Sequence, residues 1–249
     1  MKAIVLAAGQ GSRLKELTHD RPKGMVEFCG CSLVERVVNV FRSCGISEIA
    51  IVTGYRAEAF NFLELETFKN KNWETTNMVR SLMAANEWLS NDECIVSYSD
   101  IFFSPDWVRK LIKCYASIAI TYDTEWYDLW KRRFENPLDD AETFKINSRG
   151  MVSEIGKHTN NLHDIQGQYM GLFKFKTSGW AQMQKVFSGL SKNDLDRISI
   201  TEVLQLLITN GINIKGIPVC GQWGEIDHPS DLLLSTSLQE AGHFGDWLD

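Results

Sequence analysis

The chain has 249 residues, a formal net charge of -6, 44% hydrophobic residues and 23% charged residues. That balance supports one sizeable core and argues against a general nucleic-acid-binding surface, while leaving room for a local basic pocket. No apolar run is long enough to span a bilayer, and Met1-Lys2 runs straight into a strand. A cytoplasmic protein that avoids membranes and nucleic acid is therefore expected. The six cysteines lack a paired CxxC pattern and read as reduced thiols.

In chain order, "KAIVLA" reads as a buried strand leading into the basic, glycine-bearing stretch "LAAGQGSRLKELTHDRPKGMVEF". "SLVERVVNVFRSCG" follows with Leu33, Val34, Val37, Val38 and Phe41 at helical spacing, Ser32 as N-cap and Gly45 past the last turn. "EIAIVTG" is a second buried strand. Helical runs are expected over about 56–68 and 77–89, then the strand "ECIVSYSD". Further on, "SIAITYD", a hairpin in "TFKINSRGMVSEIG" and "QYMGLFKFK" read as strands. Helices are expected at about 178–187 and 199–209, and "NIKGIPVCG" is a last strand before "QWGEIDHPSDLLL", which enters a helix near Pro229. Alternating strands and helices imply an α/β fold with a Rossmann-like, mostly parallel sheet flanked by helices, whose ligands bind beyond the carboxyl ends of the strands. One domain over 1–249 is expected, with an acceptor-side insertion at about 121–176.

The glycines after the first strand let a polyanion approach the main chain, which favours phosphate. A Walker loop is excluded because no Gly-Lys-Ser/Thr ending is present, and a dinucleotide GxGxxG fails at Leu14. Arg13 and Lys23 instead offer two permanent cations able to reach one polyphosphate from two sides.

"LAAGQGSRL…RPKGMVEF" resembles the LAAGxGxR…PK signature of the nucleotidyltransferases that activate sugar phosphates and small phosphorylated alcohols. The likeness extends through Asp100 to "WGEIDHPSDL". It implies the nucleotide-diphospho-sugar transferase type of fold, a glycine-rich loop of Gly9 and Gly11 around the NTP, and catalytic roles for Arg13 and Lys23. It also implies Mg²⁺ on Asp100 and Asp227, with Glu225 a lesser participant, and main-chain contacts from Ala7, Ala8 and Gly9 to base or ribose. By their positions alone, Asp100 could be a strand-end residue capping the next turn and Asp227 a helix N-cap before Pro229.

"TTNMVRSL" is similar to the segment that phosphocholine cytidylyltransferases place beside the base, so Asn77 and Ser81 are candidates for reading CTP. Asn77 also suits a plain helix N-cap. In "TYDTEWYDLWKRRFENPLDDAETFKI", Trp126 and Trp130 share a helical face that either packs on the sheet or meets a ligand. Arg132 and Arg133 are candidate anion contacts for the acceptor. The expected activity is transfer of CMP from CTP to phosphocholine, 2-aminoethylphosphonate or a phosphorylated amino-acid-like acceptor, for cell-surface glycan or phosphonate modification, by a monomer or homodimer. A sugar-1-phosphate nucleotidylyltransferase and a non-catalytic nucleotide-binding regulator are the competing readings.

Overall fold

The computed structural model describes residues 1–248. Its centre is a seven-stranded sheet in the order Lys215–Val219, Ile118–Asp123, Gln168–Phe175, Cys94–Tyr98, Lys2–Ala7, Ile49–Thr53, Glu66–Lys69. Neighbouring strands run parallel except around Gln168–Phe175, which is antiparallel to both of its partners. The sheet is mostly parallel, as the alternation of strands and helices predicts.

Side chains alternate across it. Ala3, Val5, Ala7, Ile49, Ile51 and Ile95 pack on the layer that contains the helices Leu33–Ser43 and Pro105–Lys113. Ile4, Leu6, Val52 and Val96 pack on the opposite layer, with Thr177–Ser188 and Ile200–Thr209. Strands buried on both faces read as unbroken apolar runs for this reason. Ser32 starts its helix through a reciprocal cap: the Glu35 N–H donates to Ser32 Oγ at 3.4 Å, and the Ser32 N–H donates to the Glu35 carboxylate at 2.9 Å. Gly45, at φ 83, follows the last turn as expected.

Two helical expectations change. Residues 56–68 form 3-10 turns over Ala57–Leu63 and then the edge strand Glu66–Lys69, because Glu64 takes a left-handed φ of 51 that stops the winding. The run over 77–89 divides at Ala85 into Met78–Ala84 and Asn86–Asn91. The helix Pro105–Lys113, unassigned from sequence, begins with Ser104 as N-cap and proline in its first turn, a signal that was available. Among the described residues no helix is long and apolar enough to cross a membrane.

Outside the main sheet, Ile101–Phe103 pairs antiparallel with Trp223–Glu225, with Ile101 opposite Glu225, and the Ile226 N–H donates to the Asp100 carbonyl at 2.9 Å. This short ribbon joins the end of a central strand to a segment more than a hundred residues later.

Gly171 has φ 79 and lies where the register between Gln168–Phe175 and Ile118–Asp123 shifts; a Cβ there would stand 2.4 Å from Tyr98 Cδ2. Gly171→Ala is expected to lower unfolding free energy by about 1–3 kcal/mol through overpacking on a strained backbone. Urea denaturation measures this, and an unchanged midpoint would mean that the strand relaxes without cost.

Candidate active site

The first strand ends at the sheet's carboxyl edge, and the loop beyond it folds back on itself. Thr18 Oγ1 donates to the Gly11 carbonyl at 2.8 Å, and Gly11 takes a φ of 76. A Cβ on Gly11 would lie 2.6 Å from Lys23 Cβ, so the glycine lets the stem of Lys23 cross the loop. Pro22, extended at ψ 157, then directs Lys23 into the protein.

Lys23 Nζ donates to Asp100 Oδ2 at 2.5 Å and also to Asp227 Oδ1, while Arg13 Nη2 donates to the same Asp227 oxygen at 3.1 Å. The Lys23 side chain is 12% exposed and that of Arg13 is 59% exposed, so one cation is built in and the other reaches in from solvent. Burial opposes the charge on Lys23, but Asp100, Asp227 and Glu225 outweigh it and hold the ammonium well above the usual lysine range. Burial likewise opposes the charge on Asp227, yet a hydrogen bond with Glu225 and the cations Lys23 and Arg13 hold its carboxyl well below the usual range. Burial and the neighbouring Asp227 charge push Glu225 the other way, well above the carboxylate range. The two neighbouring carboxyls are thus pushed in opposite directions.

Oxygens of Asp100, Glu225 and Asp227 lie within 4.8 Å of one another. Asp100 Oδ1 is buried without a hydrogen-bond partner, a lone pair left for a cation. Three hard oxygen donors, one of them unsatisfied, fit Mg²⁺. Glu225, the lesser candidate from sequence, lies inside this cluster. Its place two residues before Asp227 in an extended segment was the available signal, since such residues share a face.

Beside this cluster opens a cavity of about 170 Å³ lined by Ala8, Gly9, Lys23, Asn77, Ser81 and Asp100. A Cβ on Gly9 would meet nothing within 4 Å, which leaves the main chain open to a ligand there. Ala7, 2% exposed, belongs to the strand beneath. Trp73, Thr76 and Tyr98 also line the cavity and are absent from the sequence candidates. Asn77 caps its helix: Oδ1 accepts from the Met78 N–H at 2.7 Å, and Nδ2 donates to the Arg197 carbonyl at 2.9 Å. Ser81 Oγ accepts from Asn70 Nδ2 at 3.1 Å.

Most of the acceptor candidates go elsewhere. Trp126 and Trp130 are 5% and 4% exposed and pack in the core; Trp130 stands 6.1 Å from the Trp223 ring and donates from Nε1 to Asp140 at 3.1 Å. Their shared helical face therefore serves packing, because large rings gain more from burial than from a wet cleft. Arg133 is committed to Asp231 and Glu225. Arg132 lines a separate cavity of about 110 Å³ with Asp123, Glu125, Asp128 and His243.

A model of the MobA-like NTP transferase domain matches residues 3–163, the span that carries Arg13, Lys23 and Asp100. The chain belongs to the MobA-like NTP transferase family. It is 38% identical over 248 residues to a CTP:phosphoglutamine cytidylyltransferase of Campylobacter jejuni, covering 93% of this chain and 98% of that one. A 2-aminoethylphosphonate cytidylyltransferase of Lancefieldella rimae is 25% identical over 173 residues, 66% of this chain and 64% of that one. The inositol-1-phosphate CTP transferase of T. maritima superposes with a TM-score of 0.75 at 24% identity, over 96% of each chain, and shares the fold. Membership makes this chain an enzyme of the nucleotidyltransferase class, as its glycine loop and its PK pair imply.

Lys23→Ala is expected to leave the circular dichroism spectrum intact and to cut turnover by about 10²–10³-fold, the usual loss when a preorganised charge is removed. Turnover at the wild-type level in the purified, folded variant would remove Lys23 from the reaction. Gly11→Ala should reduce turnover by about a hundredfold by displacing Lys23, since small misplacements of a catalytic group cost that much. An assay showing full activity in that variant would mean that the loop opens freely.

Proposed function

We propose that the enzyme transfers CMP from CTP to a small phosphate or phosphonate acceptor bearing an amino group, releasing pyrophosphate. The observation that carries this reading is the similarity, spanning nearly both full chains, to the Campylobacter CTP:phosphoglutamine cytidylyltransferase. A phosphorylated amino-acid-like acceptor is the substrate class it favours. The CDP-linked product would then supply a step that decorates a surface glycan.

The site's geometry supports the chemistry. A cavity of about 170 Å³ is smaller than a typical ligand pocket of roughly 300 Å³ or more, so it suits a pyrimidine base with its ribose and leaves the phosphates over the glycine loop. Ala8 and Gly9 offer main-chain contacts there, and Asn77 and Ser81 also line it. An acceptor oxygen attacks the α-phosphorus of CTP in line with the departing pyrophosphate; the new P–O bond forms as the bond to the β-phosphate oxygen breaks. No covalent nucleophile on the protein is needed.

The protein's task is to hold two anions together and stabilise the charge that develops between them. Lys23 supplies a fixed positive charge at the transferring group. Arg13, its side chain largely exposed and its Nη2 on Asp227, is placed to reach the phosphates. Asp100, Asp227 and Glu225 would hold Mg²⁺, which when bound neutralises phosphate charge.

The test is a panel of CTP, UTP, dTTP, ATP and GTP against phosphoglutamine, phosphocholine, 2-aminoethylphosphonate and glucose-1-phosphate, read by pyrophosphate release and product mass. CTP with an amine-bearing acceptor is expected to give the highest kcat/KM. Faster use of UTP or dTTP, or glucose-1-phosphate as best acceptor, would indicate an NDP-sugar-forming enzyme. Nucleotide binding without pyrophosphate release would indicate a regulator.

A further inference from the structure

Arg133 lies on the helix Trp126–Arg133, its side chain only 3% exposed, directly behind the carboxylate cluster. Its Nε donates to Asp231 Oδ1 at 3.0 Å and its Nη2 to Asp231 Oδ2 at 3.3 Å, a two-pronged pair, and Nη1 reaches Glu225 Oε2 at 3.5 Å. The guanidinium stacks 5.0 Å from the Trp130 ring centroid and 5.1 Å from that of Phe134, which fixes its plane. Asp231, 4% exposed, passes the constraint on: Oδ2 accepts the backbone N–H of Asp227 at 2.9 Å and that of His228 at 2.8 Å.

We infer that Arg133 is a positioning residue of the reaction centre, acting through Asp231 to fix the strap 225–228 and with it the carboxylates of Glu225 and Asp227. A pair that served stability alone would be an inefficient choice, because desolvating two charges cancels most of their attraction and an apolar pair of similar volume does as well. What the fork of arginine adds is direction: it locks the plane of one carboxylate, and that carboxylate holds two consecutive backbone N–H groups. Partners behind metal-binding side chains commonly act in this way. The inference rests on the reading of Asp100, Glu225 and Asp227 as the reaction centre.

The test uses the full chain as wild type, Arg133→Lys and Asp231→Asn. Lysine keeps the charge and loses the fork, whereas asparagine keeps the volume and loses one of the two acceptor oxygens. Three quantities are measured: kcat and KM for CTP and the best acceptor of the panel, Mn²⁺ binding to the nucleotide-free chain by electron paramagnetic resonance, and Tm. In each variant that remains folded, kcat should fall and the Mn²⁺ Kd should rise by about 10–100-fold, with the acceptor KM within about threefold of wild type. Wild-type kcat and Mn²⁺ affinity in both variants, with only Tm lowered, would make the pair an ordinary stabilising contact and overturn the inference. A rise confined to the acceptor KM would also overturn it by making Arg133 a substrate contact. If wild type transfers no nucleotide in any combination, the proposed activity fails while the Mn²⁺ measurement still decides the role of Arg133. If wild type turns over but binds no Mn²⁺, the metal reading fails and the split between kcat and KM decides.

Discussion

Everything at the proposed reaction centre depends on one ammonium group held between two aspartates that come from opposite strands at the same end of a β-ribbon. Lys23 bonds Asp100 and Asp227 at once, and those two residues flank the paired segments Ile101–Phe103 and Trp223–Glu225. Without the ribbon the aspartates would repel and separate. With it, like charges are forced together and the buried lysine becomes the group that makes the arrangement tolerable. The loop glycine, the extended Pro22 and the stacked core beneath then serve to deliver that lysine.

Electrostatic tension of this kind suits a catalyst for phosphoryl-type chemistry. If Asp100, Glu225 and Asp227 hold a divalent ion as proposed, the adjacent lysine and arginine are placed to attract the polyphosphate that would arrive with it. Each set holds the other in check through the ion pairs of Lys23 and Arg13 with the aspartates.

The layers of the fold were legible in the sequence because their cause is local. Runs such as "KAIVLA" must be buried on both faces, and the spacing of Leu33, Val37 and Phe41 admits one helical face. The cations Arg13 and Lys23 were legible through their order within one loop. Glu225 was legible only as a lesser partner of the aspartates, and Arg133 was read as an acceptor contact because its pairing with Asp231 depends on packing between distant segments. Helical spacing told that Trp126 and Trp130 share a face and was silent on which way that face turns. Glu64 defeated the periodicity over 56–68 in the same manner, since a left-handed backbone at one residue leaves no trace in the apolar pattern.

The sequence distance across the centre has its own consequence for how activity is gained and lost. Arg13 and Asp227 meet although 214 positions separate them. During synthesis the glycine loop, Lys23 and Asp100 exist long before the strap at 225–228, so on the proposed reading the centre is complete only once a late segment has docked on an early one. The same closure ties the centre to the core: release of the ribbon would dissolve it and also uncover Ile101, Phe103 and Trp223, which are buried in one core layer. A nucleotide that binds only the closed form ties early and late segments together and raises the free energy of that opening, so substrate itself protects the part of the fold that forms last.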